Sequence, residues 1–173
     1  MSRDFGLQVP IVVEAGVKIH PLIFIGGYVA FTVGGASSAF DAAQGCDARA
    51  TTRSCGASSF HIGAEVQIHF RPARRANPWV GYGIGYETAS ASASGGGTVQ
   101  VGESFDGLEV ARVSGGVDFR LSRFIGVGPF LELDLGTYSH EHIQATSQSF
   151  DGSIPNAALH EWFTVGLRGV LFP

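Results

Sequence analysis

Ten charged residues of this sequence share a position: each falls on the more polar of two alternating faces in a strand-like stretch. They are Glu14, Lys18, Glu65, Glu87, Arg112, Asp118, Arg120, Glu132, Asp134 and Arg168. Acids and bases are mixed among them, and His61, His69 and His160 fall in the same parity. Side chains of opposite sign that share an enclosed space have to pair, because an unpaired buried charge is far costlier than a pair. The chemistry expected of this set is therefore a network of ion pairs in an interior.

A second group could support catalysis. Ser139, His140, Glu141 and His142 are consecutive, and His160-Glu161 follows some twenty residues later. A serine, a histidine and a carboxylate brought together could hydrolyse an acyl bond, and His140 and His142 would share a face if a strand persists there. The reading preferred here is a solvated polar rim, with no catalytic residue, no metal site and no cofactor. Cys46 and Cys55 lie in one glycine- and serine-rich segment. A small disulfide-closed loop in an oxidising compartment suits them, with two free thiols as the alternative. A metal site there would need further ligands, and the segment contains no histidine. The glycines of GYGIGYE are not a nucleotide loop, because no helix follows to hold a phosphate. They read as strand glycines beside a bulky partner such as Trp162 or Phe130.

The elements that must position these residues are strands. In Phe124–Tyr138, FIGVGPFLELDLGTY, one alternate set is Ile125, Val127, Pro129, Leu131, Leu133 and Leu135; the other carries Glu132, Asp134 and three glycines. Period-2 alternation of this length predicts a strand with one oily and one polar face. The same signature predicts strands over 6–19, 22–33, 59–70, 79–90, 108–121 and 160–172. Connections between the seven alternate short and long, the long ones being 34–57, the stretch after ASASAS, and 139–158.

Length fits one domain over 1–173. Charged residues are only 15% of the chain, where about 25% is usual, yet no apolar run approaches the ~18 residues of a membrane-spanning helix. If the chain is in a membrane, strands must cross it, and a closed barrel is then required. A formal charge of −4 argues against nucleic-acid binding, and Arg71, Arg74 and Arg75 read as a solvated turn. The polar face is rich in glycine and holds the chain's single lysine, Lys18, which is poor for a surface in water but suits a lumen filled by side chains. Tyr82, Tyr86, Phe60, Phe119 and Phe163 on the oily face suit aromatic girdles.

These patterns predict an all-β fold: an antiparallel, up-and-down transmembrane β-barrel. Short turns on one side and long loops on the other are the arrangement of outer-membrane barrels, whose strand number is even. Seven readable strands then imply eight in the intact protein, with the first strand and a signal peptide expected upstream of Met1.

The runs PWVGYGIGYE, GPFLELDLG and HEWFTVGLRGVLF resemble small bacterial outer-membrane β-barrel proteins of the eight-stranded kind, similar to the OmpA transmembrane domain. The resemblance implies residence in the bacterial outer membrane. It also implies outer-membrane lipid and lipopolysaccharide as surroundings, and a C-terminal aromatic, here Phe172, read by the barrel-insertion machinery. The expected role is structural, scaffolding or surface-interacting, with loop partners unspecified. The alternatives are a soluble lipocalin-like ligand-binding barrel, a narrow porin-like pore, and an outer-leaflet lipid-modifying enzyme.

Overall fold

The structure is a computed structural model that describes residues 5–36, 41, 46, 53–95, 98–145 and 148–171. Seven strands follow one another: β1 (Phe5–His20), β2 (Ile23–Ala36), β3 (Arg53–His69), β4 (Ala76–Gly95), β5 (Thr98–Arg120), β6 (Ile125–Ala145) and β7 (Gln148–Leu171). Each pairs antiparallel with its sequence neighbour in a single sheet of order β1 to β7, curled into a half-barrel. Among the described residues no ladder joins β1 to β7; across that seam Arg168 reaches Glu14 at 2.8 Å. Met1 and Phe172, on which expectations about export and insertion rest, lie outside the described residues.

Two of the three expected long loops are strand. β4 and β5 pair out to Gly95↔Thr98, and β6 and β7 out to Ala145↔Gln148. Glycine- and serine-rich sequence reads as loop, but here small side chains on β4 lie opposite Phe105, Val101 and Val99 of β5. The ladder satisfies the backbone, which outweighs weak strand propensity. The asymmetry between the two ends of the sheet is thus carried largely by extended hairpins.

Polarity reverses along these hairpins. In the lower part of β4, Val80, Tyr82, Ile84 and Tyr86 are exposed on the convex face, while Trp79 and Glu87 are buried on the concave one. Beyond Tyr86 the convex parity passes to Thr88, Ser90, Ser92 and Ser94, and the concave parity to Ala89, Ala91 and Ala93, all three buried. Ala36, Ala91 and Ala93 pack with Cys46 and Cys55, and Ala89, Phe105 and Tyr138 pack with Trp162, forming small apolar clusters at this end. Cys46 and Cys55 form a disulfide.

One irregularity decides which side chains meet. On β5, Glu109 pairs with Gly136 and Ala111 with Leu135, leaving Val110 as an extra residue in the ladder. The same residue is skipped on the other side, where Gly85 faces Glu109 and Gly83 faces Arg112. A β-bulge of this kind flips side-chain parity beyond it. Glu109 and Arg112, three apart in sequence, are consequently both buried on the concave face.

Candidate functional site

The concave face carries two polar clusters. The lower one is built around Arg168 of β7. Its Nε and Nη2 donate to the two oxygens of Asp118 on β5 at 3.2 and 3.3 Å, a bidentate fork. Its Nη1 donates to Glu14 of β1 at 2.8 Å, and its guanidinium lies 4.0 Å from the centroid of the Trp79 ring. Gln67 links the remainder, donating to Glu14 at 2.9 Å and Glu65 at 3.0 Å while accepting from Arg168 at 3.3 Å. Trp79 Nε1 donates to Asp118 at 3.2 Å. Arg120 donates to the Pro72 carbonyl in the turn below at 3.2 Å. Lys18 sits on the exposed edge strand β1 and makes no short ion pair among the described residues.

The upper cluster begins with Arg112. Its Nη2 lies 2.6 Å from Glu132 Oε2 of β6, an ion pair without a well-aligned hydrogen bond. Asp134 stands directly opposite Arg112 in the β5–β6 register. The guanidinium also stacks 4.0 Å from the Tyr28 ring centroid, a favourable cation–π geometry. All four residues are buried.

From Tyr28 a chain of contacts runs to the far side of the lumen. Tyr28 Oη donates to Glu109 Oε1 at 2.6 Å, and His61 Nδ1 meets Glu109 Oε2 at 2.8 Å. The other ring nitrogen, Nε2, meets Ser59 Oγ at 2.9 Å, and Ser59 Oγ meets Thr32 Oγ1 at 2.7 Å. Glu87 of β4 lies opposite His61 in register, with Oε2 at 3.7 Å from Nδ1, and its Oε1 is 2.6 Å from His160 Nε2. His160 stacks on Tyr138, with ring centroids 3.9 Å apart and planes 9° from parallel.

Glycines make room for these side chains. Gly63 faces Tyr28 in the β2–β3 register, and a Cβ at either Gly63 or Gly85 would collide with the Tyr28 hydroxyl. The bulky partner of the GYGIGYE glycines is therefore mainly Tyr28, in place of the expected Trp162 or Phe130. Phe130 lies instead over Gly166 and Gly116.

The other chemical candidates are divided between the two faces. Ser139 and His140 are exposed on β6, 3.0 Å apart through Oγ and Nδ1. His160 points inward to Glu87, whereas Glu161 beside it is exposed on the opposite face. Glu109, absent from the sequence-derived network, occupies its centre. The signal was its spacing from Arg112: two charges three apart on one strand share a face only through a bulge.

Ser59, His61 and Glu109 have the connectivity of a serine–histidine–acid relay. Ser59 Oγ, however, is held by Thr32, and Ser59 N donates to Thr32 Oγ1 at 3.1 Å. The arrangement can fix carboxylates and imidazoles in place and can hold a proton or a cation. A cavity of about 130 Å³ lies beside it, lined by Val12, Thr32, Ser59, His61, Arg112 and Trp162 among others.

The Tyr28–Glu109 contact supports a direct test. Tyr28→Phe deletes one oxygen and leaves a buried carboxylate short of a donor, so it should cost roughly 1–3 kcal/mol in denaturant unfolding. Tyr82→Phe removes an exposed hydroxyl that donates to Val110 O at 3.2 Å and should change stability little. Equal effects at the two positions would contradict a structural role for the buried bond.

Compared with family models, curated proteins and solved structures, the chain shows no match.

Proposed function

We propose that this chain is an outer-membrane β-barrel protein with a structural, scaffolding or surface-interaction role. On this reading its extended hairpins stand outside the cell and its lumen is occupied by side chains. The observation that carries the reading is the reversal of polarity along single strands. The lower convex face is apolar and exposed, with Ile62 at 47%, Ile84 at 54%, Leu131 at 54% and Val165 at 65% accessibility. On β4 the upper convex parity is hydroxyl-rich, Thr88, Ser90, Ser92 and Ser94, and it covers buried Ala89, Ala91 and Ala93. One solvent cannot favour both halves; lipid around the lower part and water around the upper part accounts for both.

The height of the apolar zone agrees. On β3 it runs from Phe60 to Phe70, on β2 from Ile23 to Val33 and on β6 from Ile125 to Leu135. Ten steps at about 3.4 Å, tilted about 40°, span roughly 26 Å along the membrane normal, close to the ~25 Å apolar band of outer-membrane barrels. A lipocalin-like barrel would turn these residues inward to line a ligand cavity. Arg168 reaches from β7 to Glu14 of β1 and Asp118 of β5, and Arg112 from β5 to the Tyr28 ring of β2, so side chains cross the concave space, which disfavours a conducting pore. Outer-membrane lipid, lipopolysaccharide and the barrel-insertion machinery are the partners this reading carries with it.

The test is the medium in which the chain folds. Denatured protein diluted into detergent micelles or short-chain phospholipid vesicles should gain β-sheet circular dichroism and protease resistance. Diluted into buffer alone it should aggregate. A monodisperse, protease-resistant species in buffer without detergent would overturn the proposal.

A further inference from the structure

The geometry points to a divalent transition-metal site in the lumen, with His61 Nδ1, Glu87 Oε2 and Glu109 Oε2 as its ligands and Zn²⁺ as the representative ion. The inference concerns the interior cluster alone and goes beyond the barrel's proposed role.

Three donors from three adjacent strands converge there. One atom from each of His61, Glu87 and Glu109 lies within 4.8 Å of the others, and all three residues are buried. From His61 Nδ1, Glu109 Oε2 is at 2.8 Å and Glu87 Oε2 at 3.7 Å. Ligand bonds of 2.0–2.2 Å in a tetrahedral site place donors about 3.3–3.6 Å apart, so these two separations bracket the required one. One imidazole with two carboxylates and an open fourth position suits Zn²⁺ or Mn²⁺ better than a soft ion such as Cu⁺.

The second observation is the state of Glu87. It is fully buried, yet neither of its oxygens receives a well-aligned hydrogen bond; His160 Nε2 is close to Oε1 at 2.6 Å but off the angle a hydrogen bond needs, and the neighbouring Tyr138 hydroxyl is likewise misaligned. Buried polar atoms are ordinarily satisfied, and exceptions call for a cause. Two carboxylates sharing a buried site carry charge that must be offset, and the nearby guanidinium of Arg112 is engaged by Glu132. A dication offsets both.

The third observation is what stands behind each ligand. His61 is held through Nε2 by Ser59 and Glu109 through Oε1 by the Tyr28 hydroxyl, while His160 Nε2 stands 2.6 Å from Glu87 Oε1. Two of the three donors thus have their second polar atom held by a separate outer group. That is how metal ligands are oriented, and losing such a group typically lowers affinity 10- to 100-fold. Gly136 keeps the arrangement open: a Cβ there would sit 2.5 Å from His160 Nε2 and 3.1 Å from Glu87 Oε2. The bulge at Val110 brings Glu109 into this set at all.

The alternative is an ion-free cluster in which protonated His61 and His160 neutralise the two acids. Metal titration separates the two. The full chain, stripped with chelator and folded in whichever medium supports it, is titrated with Zn²⁺ by calorimetry and with Co²⁺ by visible absorption. One saturable equivalent is expected, with the intense visible bands of four-coordinate Co²⁺. Glu109→Gln, nearly isosteric, should weaken binding at least 100-fold, and Tyr28→Phe 10- to 100-fold. His140→Ala/His142→Ala, which alters exposed or partly exposed histidines outside the cluster, should leave binding unchanged. Loss of binding in the His140/His142 variant would overturn the assignment. So would full binding by Glu109→Gln, or a folded wild-type chain that takes up neither ion.

Discussion

Leu131→Arg should destabilise the chain in a bilayer by about 2–4 kcal/mol, the cost of a guanidinium near the midplane of a lipid-facing strand. Leu131 lies in the middle of the apolar run of β6, faces Gly115 and Val165 in the ladders, and is exposed. The sign of the effect carries the information. In water, replacing an exposed leucine by arginine is close to neutral and raises solubility; in lipid the same change is strongly unfavourable. Ser54→Arg, at an exposed position of β3 in the extended region, should be nearly silent in both media. Reversible unfolding by denaturant in phospholipid vesicles gives the free energies. A neutral Leu131→Arg in vesicles would mean that this face does not meet hydrocarbon.

Arg112→Met should cost about 3–5 kcal/mol, the penalty for leaving a buried ion pair with one member. Methionine keeps much of the stem volume, so the loss is assigned to charge and not to a cavity. Glu132 lies 2.6 Å from the guanidinium and Asp134 stands opposite it in register, both buried. Combining Arg112→Met with Glu132→Gln and Asp134→Asn should recover most of the loss, since the triple variant no longer buries unpaired acids. If the triple variant is no more stable than Arg112→Met, the cost lies in packing against Tyr28, from whose ring centroid the guanidinium sits 4.0 Å. Raising the pH cannot substitute for this test, because it leaves the guanidinium charged.

Strand number, direction and the sorting of residues onto two faces were legible from alternation; which face turns inward was read from the glycines and mixed charges of the polar one. In β6 every residue expected on the oily side, from Ile125 to Leu133, is exposed, and Phe130, Glu132 and Asp134 are buried. Period 2 is a property of the backbone itself, so a strand with one apolar face announces both its conformation and its orientation to the sheet. The two-residue connections at 20–21 and 122–123 follow from the expected strand bounds, as interruptions of that period.

Two things were not legible. The first was the extent of the hairpins. ASASASG carries little hydrophobic contrast, and its strand character comes from the ladders it makes with β5 and, at longer range, with 53–59 of β3, pairings that local composition does not encode. The second was the identity of the central acid. Alternation read across Val110 without a break sends Glu109 outward, and the bulge sends it inward to Tyr28 and His61. A bulge is settled by which register lets both neighbouring strands bury their polar residues together.

By itself, then, the sequence determined an antiparallel, two-faced sheet of seven strands with charges gathered on one side, because alternation is local. Only the tertiary structure decided which charges meet. Distance across the lumen depends on the register of every intervening strand, and one extra residue in β5 is enough to change it.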